Sequence, residues 1–347
     1  MNSLNHIADA ASFIELASDL PVVDVRTPSE YRRGHIPGAV NLPIFSDEQR
    51  AAVGTDYKKR GRVEAILRGL GFVGPAMSSM LASALEIAGN RKHIALYCWR
   101  GGMRSENMAW LFRLGGISTT LLKGGYKSYR SHILKEMEAD RKVVVLGGYT
   151  GSGKTKILRI LKEMGEQVID LEDIASHRGS AFGSLGMPDQ PTSEHFANLV
   201  FSQLKNSNRD VRLFLEDESR NIGSVFMPDE LYNLIRKSPV IALMPDSASR
   251  TRFLMEEYGN FEPKLLRESV NKISKRLGGD RAGEALSAID TGNIRRAVEI
   301  ALAYYDKAYL FGLSKREKGE VIELDTSNRS FKDSAALILK KAEELLP

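Results

Sequence analysis

A chain of 347 residues is long enough for about two domains. With 42% hydrophobic and 27% charged residues it has an ordinary globular composition, and no apolar run reaches the length of a membrane span. Its single cysteine excludes an internal disulfide framework and any multi-cysteine zinc site. The first twenty residues lack the basic start and apolar core of a signal peptide. A lone thiol also suits a reducing compartment, so a cytoplasmic protein is expected. The net charge of +5, from 49 Lys and Arg against 44 Asp and Glu, is compatible with a nucleic-acid partner but does not require one.

Short β-branched runs alternate with helical patterns, which predicts an α/β chain with mainly parallel sheets. In the first half, strands are expected at Pro21–Val25, Ala39–Asn41, Ile94–Cys98 and Thr119–Leu122. The stretch 46–92, broken at Gly74-Pro75, reads as a helical insertion within this first domain, 1–130. A polar helix over Tyr126–Asp140 connects the halves. The second domain, 131–347, should hold strands at Lys142–Gly147, Gln167–Leu171, Val211–Glu216, Val240–Met244 and Val321–Asp325, with a helical subregion over 262–311.

Cys98-Trp99-Arg100-Gly101-Gly102-Met103-Arg104-Ser105 follows the strand at Ile94 and opens a helix. At such a junction backbone N–H groups converge on the sulfur, and the helix N-terminus adds positive potential. Arg100 and Arg104 should add full charges, so the Cys98 thiolate is favoured. The same cradle would hold an anionic persulfide or selenide on the cysteine. A merely packing cysteine needs no such loop.

Asp24-Val-Arg-Thr-Pro-Ser-Glu-Tyr-Arg-Arg-Gly-His-Ile-Pro-Gly-Ala-Val-Asn-Leu-Pro43 resembles the N-terminal signature of the rhodanese fold. Leu122-Lys-Gly-Gly125 resembles that fold's ending, and the Cys98 loop has the length of its sulfurtransferase version. The resemblance implies a rhodanese-like first domain, with Asp24, Arg26 and Glu30 as scaffold.

Strand 142–147 runs into Gly148-Tyr-Thr-Gly151-Ser152-Gly153-Lys154-Thr155, the full G-x-x-x-x-G-K-[ST] pattern, and then into a helix. That order is what a P-loop requires. Glycines let N–H groups approach phosphate oxygens, Lys154 supplies charge, and Thr155 can ligate Mg²⁺. The loop marks a di- or triphosphate site, not ATP hydrolysis as such. Acidic partners are expected on neighbouring strands: Asp170 and Glu172 near one tip, and Glu216, Asp217 or Glu218 near another. Thr155 and Glu216 would hold a Mg²⁺ ion; which acid faces the phosphate is left open.

A rhodanese domain fused in this order to a P-loop domain resembles the bacterial tRNA 2-selenouridine synthases. Asp47–Tyr57, His177–Gly183, Glu216–Gly223 and Tyr304–Tyr309 are family-like segments. The resemblance implies a transferase that geranylates wobble 2-thiouridine in tRNA from geranyl diphosphate. It then exchanges S-geranyl for selenium supplied by selenophosphate and carried on Cys98. No tightly bound cofactor is implied. Selenophosphate, with its synthetase, and tRNA are the implied partners, and no membrane is. His177, Arg178 and Arg220 join the acids as substrate-site candidates. The basic side of Lys264–Leu277 (Lys264, Arg267, Lys272, Lys275, Arg276), with Arg295 and Arg296 nearby, is a candidate RNA surface. An ATP-dependent tRNA sulfurtransferase or kinase with a rhodanese donor domain is the alternative enzyme, and a non-catalytic sensor the weakest reading.

Overall fold

A computed structural model describes residues 5–316 and 321–346. The chain forms two compact units, 1–136 and 137–347. The division falls six residues beyond the boundary expected at 130.

The first unit holds β1 (Asn5–Ala8), β2 (Val22–Asp24), β3 (Val40–Asn41), β4 (His93–Tyr97) and β5 (Ser118–Leu122). They form one parallel sheet in the order β1-β5-β4-β2-β3. The central strands are buried on both faces, which is why they read as continuous apolar runs. β1 escaped the sequence reading because it is a short edge strand containing Asn5 and His6. β4 stops at Tyr97, so Cys98 is the first residue of the loop rather than the last of the strand. The connecting helix is Gly125–Met137, three residues shorter at its end than expected.

Helices Asp47–Lys59, Arg62–Val73 and Met77–Ala88 make up the insertion. Ser46 starts it with a reciprocal cap to Gln49. Only two short helical turns, Gly74–Ala76 and Gly89–Arg91, interrupt the segment Arg62–Arg91, because Gly74-Pro75 bends the helix without ending it. That corrects the reading of the apolar runs. The 30 joined residues are long and apolar enough to cross a membrane, a test that apolar helices of other kinds also pass. Ala65, Gly69, Ala84 and Ala88 are buried, whereas Val63, Leu67 and Leu70 are exposed.

The second unit has a parallel sheet of β6 (Val143–Gly148), β7 (Gln167–Ile169), β8 (Leu213–Glu216), β11 (Val240–Leu243) and β12 (Val321–Leu324), ordered β12-β11-β6-β8-β7. A small antiparallel hairpin, β9 (Asn221–Ile222) and β10 (Val225–Phe226), lies apart from it. The hairpin strands are two residues each, too short to carry a readable pattern. β6 sits between β8 and β11, so its glycine loop emerges at the middle of the sheet. Helix Lys154–Glu163 packs Ile157, Leu158 and Leu161 against Val144, Leu146 and Phe214. A separate apolar cluster joins helices Ser247–Tyr258, Pro263–Leu277, Gly279–Asp290 and Ile294–Leu313. Along Pro263–Leu277 the buried face is Leu266, Val270, Ile273 and Leu277, and Leu265 is exposed.

Asp24 and Arg26 form a buried pair at the heart of the first unit. Arg26 is 1% exposed, and its Nη2 lies 2.6 Å from both the Asp24 Oδ2 and the Gly34 carbonyl oxygen. Its guanidinium sits 3.8 Å from the Tyr126 ring centroid. Removing one member of a buried pair strands the other charge, at a cost of about 3–5 kcal/mol. Both tryptophans, Trp99 and Trp110, lie in this unit. Arg26→Leu should therefore shift the tryptophan-fluorescence urea midpoint down by that free energy. Asp24→Asn/Arg26→Leu, which leaves no lone charge, should recover part of it.

Candidate functional site

Cys98 hangs from the carboxyl end of β4 and is 3% exposed. The Gly102 N–H donates to Sγ at 3.4 Å, and the Ser105 hydroxyl lies 3.2 Å from it. Ser105 is on the first turn of helix Met103–Leu114, so the helix start faces the sulfur. Burial works to raise the thiol. The Ser105 hydroxyl and the N–H groups of Gly102, Arg100 and Ser105 outweigh it, holding Cys98 below the ordinary cysteine range.

The arginines do not act as the sequence suggested. Arg104 is spent on Glu30 at 2.7 Å, and Glu30 also accepts the Thr27 N–H that begins helix Pro28–Arg33. The Arg104–Glu30 pair therefore ties the active helix to the scaffold. Arg100 is exposed and contributes its backbone N–H. Trp99 packs its ring 5.8 Å from that of Tyr126, and Met103 stands exposed at the loop. Behind the loop, Tyr126 N–H and Lys127 N–H hold the carbonyls of Cys98 and Trp99 at 2.8 and 3.0 Å. Gly101 and Gly125 meet there so closely that a Cβ on Gly101 would lie 2.7 Å from the Leu122 carbonyl oxygen. Ser105, which the sequence reading passed over as part of the helix, is the side chain closest to the sulfur among those found.

In the second unit the loop 148–153 opens the helix at Lys154. Gly148 has φ +143°, and a Cβ there would fall 2.6 Å from the Leu243 carbonyl oxygen of β11. Gly151 and Gly153 also have positive φ, so the loop takes the shape of a phosphate cradle. Lys154 Nζ reaches the Gly148 carbonyl at 3.4 Å, and the Ser152 hydroxyl is buried without a partner. Below the cradle, Arg250, 4% exposed, is clamped by Asp306 at 2.6 and 2.8 Å and reaches the Thr150 carbonyl at 3.5 Å. Its guanidinium also lies 4.6 Å from the Tyr149 ring centroid. No motif marked Arg250, a basic residue in an unremarkable helical stretch.

The acids sort themselves. Glu216 ends β8 fully buried; its Oε2 accepts the Glu172 N–H at 2.9 Å, and its Oε1 has no partner among the described residues. Glu172 Oε2 accepts from Thr155 at 3.1 Å, beside Lys154. Burial first, then mutual repulsion, raises Glu216 and Glu218 well above the usual carboxylate range and lifts Glu172 as well. Asp217 belongs elsewhere, paired with Arg316 at 2.7 Å. Asp170 caps helix Leu171–Ile174 through the Asp173 N–H. A cluster short of positive charge, with an orphaned carboxylate oxygen, fits a cation. Among the described residues, however, no three acidic, histidine or cysteine side chains gather as a metal cage. A Mg²⁺ ion at Thr155 and Glu216 would therefore share its shell with phosphate oxygens, as that ion commonly does.

The remaining candidates form the rim. Gly179 brings the loop 177–183 against this cluster; a Cβ there would meet Glu172 Oε1 at 2.6 Å. His177 is 7% exposed, and burial lowers its basicity. Arg178 is paired with Glu257 at 3.0 Å, which also holds Lys156 at 2.9 Å. Arg220 is paired with Asp229 and lies over the Tyr232 ring at 4.5 Å. The Tyr304–Tyr309 segment now has a physical reading. Tyr305 Oη accepts the Ala181 N–H at 2.6 Å, Asp306 clamps Arg250, and Tyr309 borders Gly147. Beside Thr150 lies a narrow apolar cavity with about 30 Å³ of free space, walled by Leu254, Tyr258, Leu266, Ile289, Val298 and Leu302.

The Cys98 cradle has a direct consequence. A hydrogen bond to a thiolate is worth roughly 1–1.5 kcal/mol, about tenfold in the protonation equilibrium. Ser105→Ala should move the pH profile of Cys98 alkylation by iodoacetamide upward and slow the reaction about tenfold at neutral pH. Arg100→Ala should leave the profile in place, because that residue acts through its backbone.

Residues 9–132 match the rhodanese-like domain family, and residues 141–264 match the family described as tRNA 2-selenouridine synthase AAA domain. Among curated proteins, the chain is 33% identical to the tRNA 2-selenouridine synthase of Nitrosomonas europaea over 86% of this chain and 90% of that one. It is 34% identical to that of Bordetella petrii, over 90% and 92% of the two chains. It is 35% identical to that of Pseudomonas fluorescens, over 88% and 92%. With both domains in that order and near-full coverage of its relatives, the chain belongs to the tRNA 2-selenouridine synthase family.

Proposed function

We propose that the chain converts wobble 2-thiouridine of tRNA to 2-selenouridine by two group transfers, one in each unit. At the P-loop, the base sulfur attacks C1 of geranyl diphosphate. The C–O bond breaks, diphosphate leaves, and the N3 proton passes to a carboxylate. Glu218, the member of the acid cluster beside Lys154 whose basicity burial raises, is suited to receive it. At the second centre, hydroselenide adds to C2, geranylthiolate leaves, and the selenium-borne proton goes to N3. Water opens the Se–P bond of selenophosphate to give orthophosphate and hydroselenide, and Cys98 with its loop is assigned to hold that selenium and present it. The enzyme that makes selenophosphate is the partner such a step calls for.

The observation that carries this reading is the apolar cavity touching Thr150 of the P-loop. Only about 30 Å³ of it is free space, room for roughly a water or two, so its apolar walls would have to part to admit the tail. Its walls offer an apolar tail what they would deny a ribose and a purine edge, namely a surface with almost no hydrogen-bonding group. Loop N–H groups and Lys154 stabilise the leaving diphosphate. A Mg²⁺ ion, when bound, adds neutralising charge to the same oxygens. Around Cys98, N–H groups that favour a thiolate would also favour a hydroselenide anion, because both bring negative charge into the same cradle.

The test uses purified full-length chain, tRNA carrying 2-thiouridine, geranyl diphosphate and selenophosphate, with nucleosides read by mass spectrometry. Lys154→Ala should cut geranylation at least 10²-fold, the usual loss on removing one transition-state charge partner. Cys98→Ser should accumulate geranylated nucleoside while 2-selenouridine disappears. Selenation by Cys98→Ser at the wild-type rate would end the carrier assignment. Phosphate release from ATP, with geranyl diphosphate untouched, would favour a kinase-like enzyme instead.

A further inference from the structure

An open groove of about 870 Å³ crosses the second unit between the loop 177–184, the turn 219–224 and helix Pro263–Leu277. His177 lies in its wall, more than nine-tenths buried; its Nδ1 is itself enclosed and has no partner among the described residues. Beside it, Gln190 is fully employed. Its amide donates to the Ala175 and Ile222 carbonyls at 2.9 Å, and its Oε1 accepts the Ser224 N–H at 2.8 Å. Gln190 thereby fixes the turn 219–224 as one wall. A Cβ on Gly223 would fall 2.6 Å from the His177 ring, so the turn presses directly on that side chain.

The opposite wall is charged. Lys272 and Arg276 lie four residues apart, on one face of their helix. Both are exposed, and among the described residues neither has a carboxylate partner; Lys272 has only Ser184 Oγ at 3.5 Å. Three neighbouring arginines are neutralised, Arg267 by Asp290, Arg296 by Glu284 and Arg220 by Asp229, and Lys264, Lys275 and Arg295 lie outside the groove. Of the RNA face expected from sequence, only Lys272 and Arg276 line the groove. The groove and the apolar cavity also share two lining residues, Ser180 and Tyr305.

We infer that this groove is the nucleotide-strand subsite of the P-loop centre. Lys272 and Arg276 hold successive backbone phosphates of a single-stranded RNA loop, and the polar wall formed by the loop 177–184 and the turn 219–224 faces the bases. The shared wall at Ser180 and Tyr305 sets one base beside the apolar cavity, where the allylic carbon of the diphosphate must lie. The inference rests on the reading of the P-loop given above. RNA is favoured over an acidic peptide because the cations face a wall of amides, hydroxyls and an imidazole, groups that read base edges.

The experiment measures binding of full-length chain to a fluorescent anticodon stem-loop RNA carrying 2-thiouridine, over a salt series. Geranyl diphosphate and selenophosphate are absent, so the result reads the groove whether or not the P-loop accepts an allylic diphosphate. Lys272→Glu/Arg276→Glu should weaken binding at least tenfold and reduce the salt slope by about 1.4, at roughly 0.7 per single-strand phosphate. Arg281→Glu/Lys237→Glu makes the same charge change at two exposed positions of this unit outside the groove and should weaken binding less than threefold. If the reversal unfolds the unit, Lys272→Gln/Arg276→Gln should still show at least a threefold loss. A smaller loss than stated in the groove variants, or an equal loss in the control pair, overturns the inference. Displacement of the RNA by poly-glutamate at equal charge concentration overturns it too.

Discussion

Backbone amides held at the carboxyl ends of parallel strands are the constraint on which both centres depend. β4 delivers Cys98 and β6 delivers the phosphate loop; β8 delivers Glu216 beside that loop. In a parallel sheet the helices that follow such strands turn their positive ends to the same edge, so anions gather there without a dedicated side chain. The geometry tolerates no bulk behind the loops. A side chain on Gly125 would strike the Cys98 carbonyl, and one on Gly148 would strike β11. Substitution at either position would displace the N–H groups, and with them the chemistry.

Charge is handled in opposite ways in the two units. Around Cys98 the nearby cations are used structurally, Arg104 on Glu30 and Arg26 on Asp24, and the sulfur is left to neutral donors. Such a cradle stabilises a modest, polarizable anion without attracting every phosphate in solution. At the P-loop, Lys154 acts on Glu172 and Glu218, while burial and the crowding of these acids with Glu216 disfavour their charged forms. A ligand that brings a cation together with diphosphate would favour the charged carboxylates; diphosphate alone would not.

Much of this was legible in the sequence, and the reasons are physical. A glycine-rich loop between a strand and a helix has few other uses, so the P-loop and the Cys98 loop were readable with their boundaries. Side-chain pairing was not. Whether Arg104 faced the sulfur or Glu30 depended on contacts 74 residues apart. Asp217 and Glu216 are neighbours in sequence, but strand alternation sends one to Arg316 and the other to the cluster. Arg250 and Asp306, 56 residues apart, announce themselves only when folding places them together. Ser105 was overlooked because a serine in a helical first turn is ordinary; its role comes from the loop that curls Cys98 back onto it. The bend at Gly74-Pro75 looked like an end because proline usually stops a helix, yet here a single short turn carries the chain through it.

The central claim is that the P-loop serves a diphosphate with an apolar tail rather than a nucleotide. Titration calorimetry of the full chain with Mg²⁺ and three ligands, repeated at several temperatures, addresses it most directly. Geranyl diphosphate should bind at least tenfold more tightly than inorganic diphosphate, with the negative heat-capacity change of apolar burial. ATP should bind more weakly than geranyl diphosphate. ATP binding more tightly than geranyl diphosphate, with no heat-capacity difference between geranyl and inorganic diphosphate, would contradict the account.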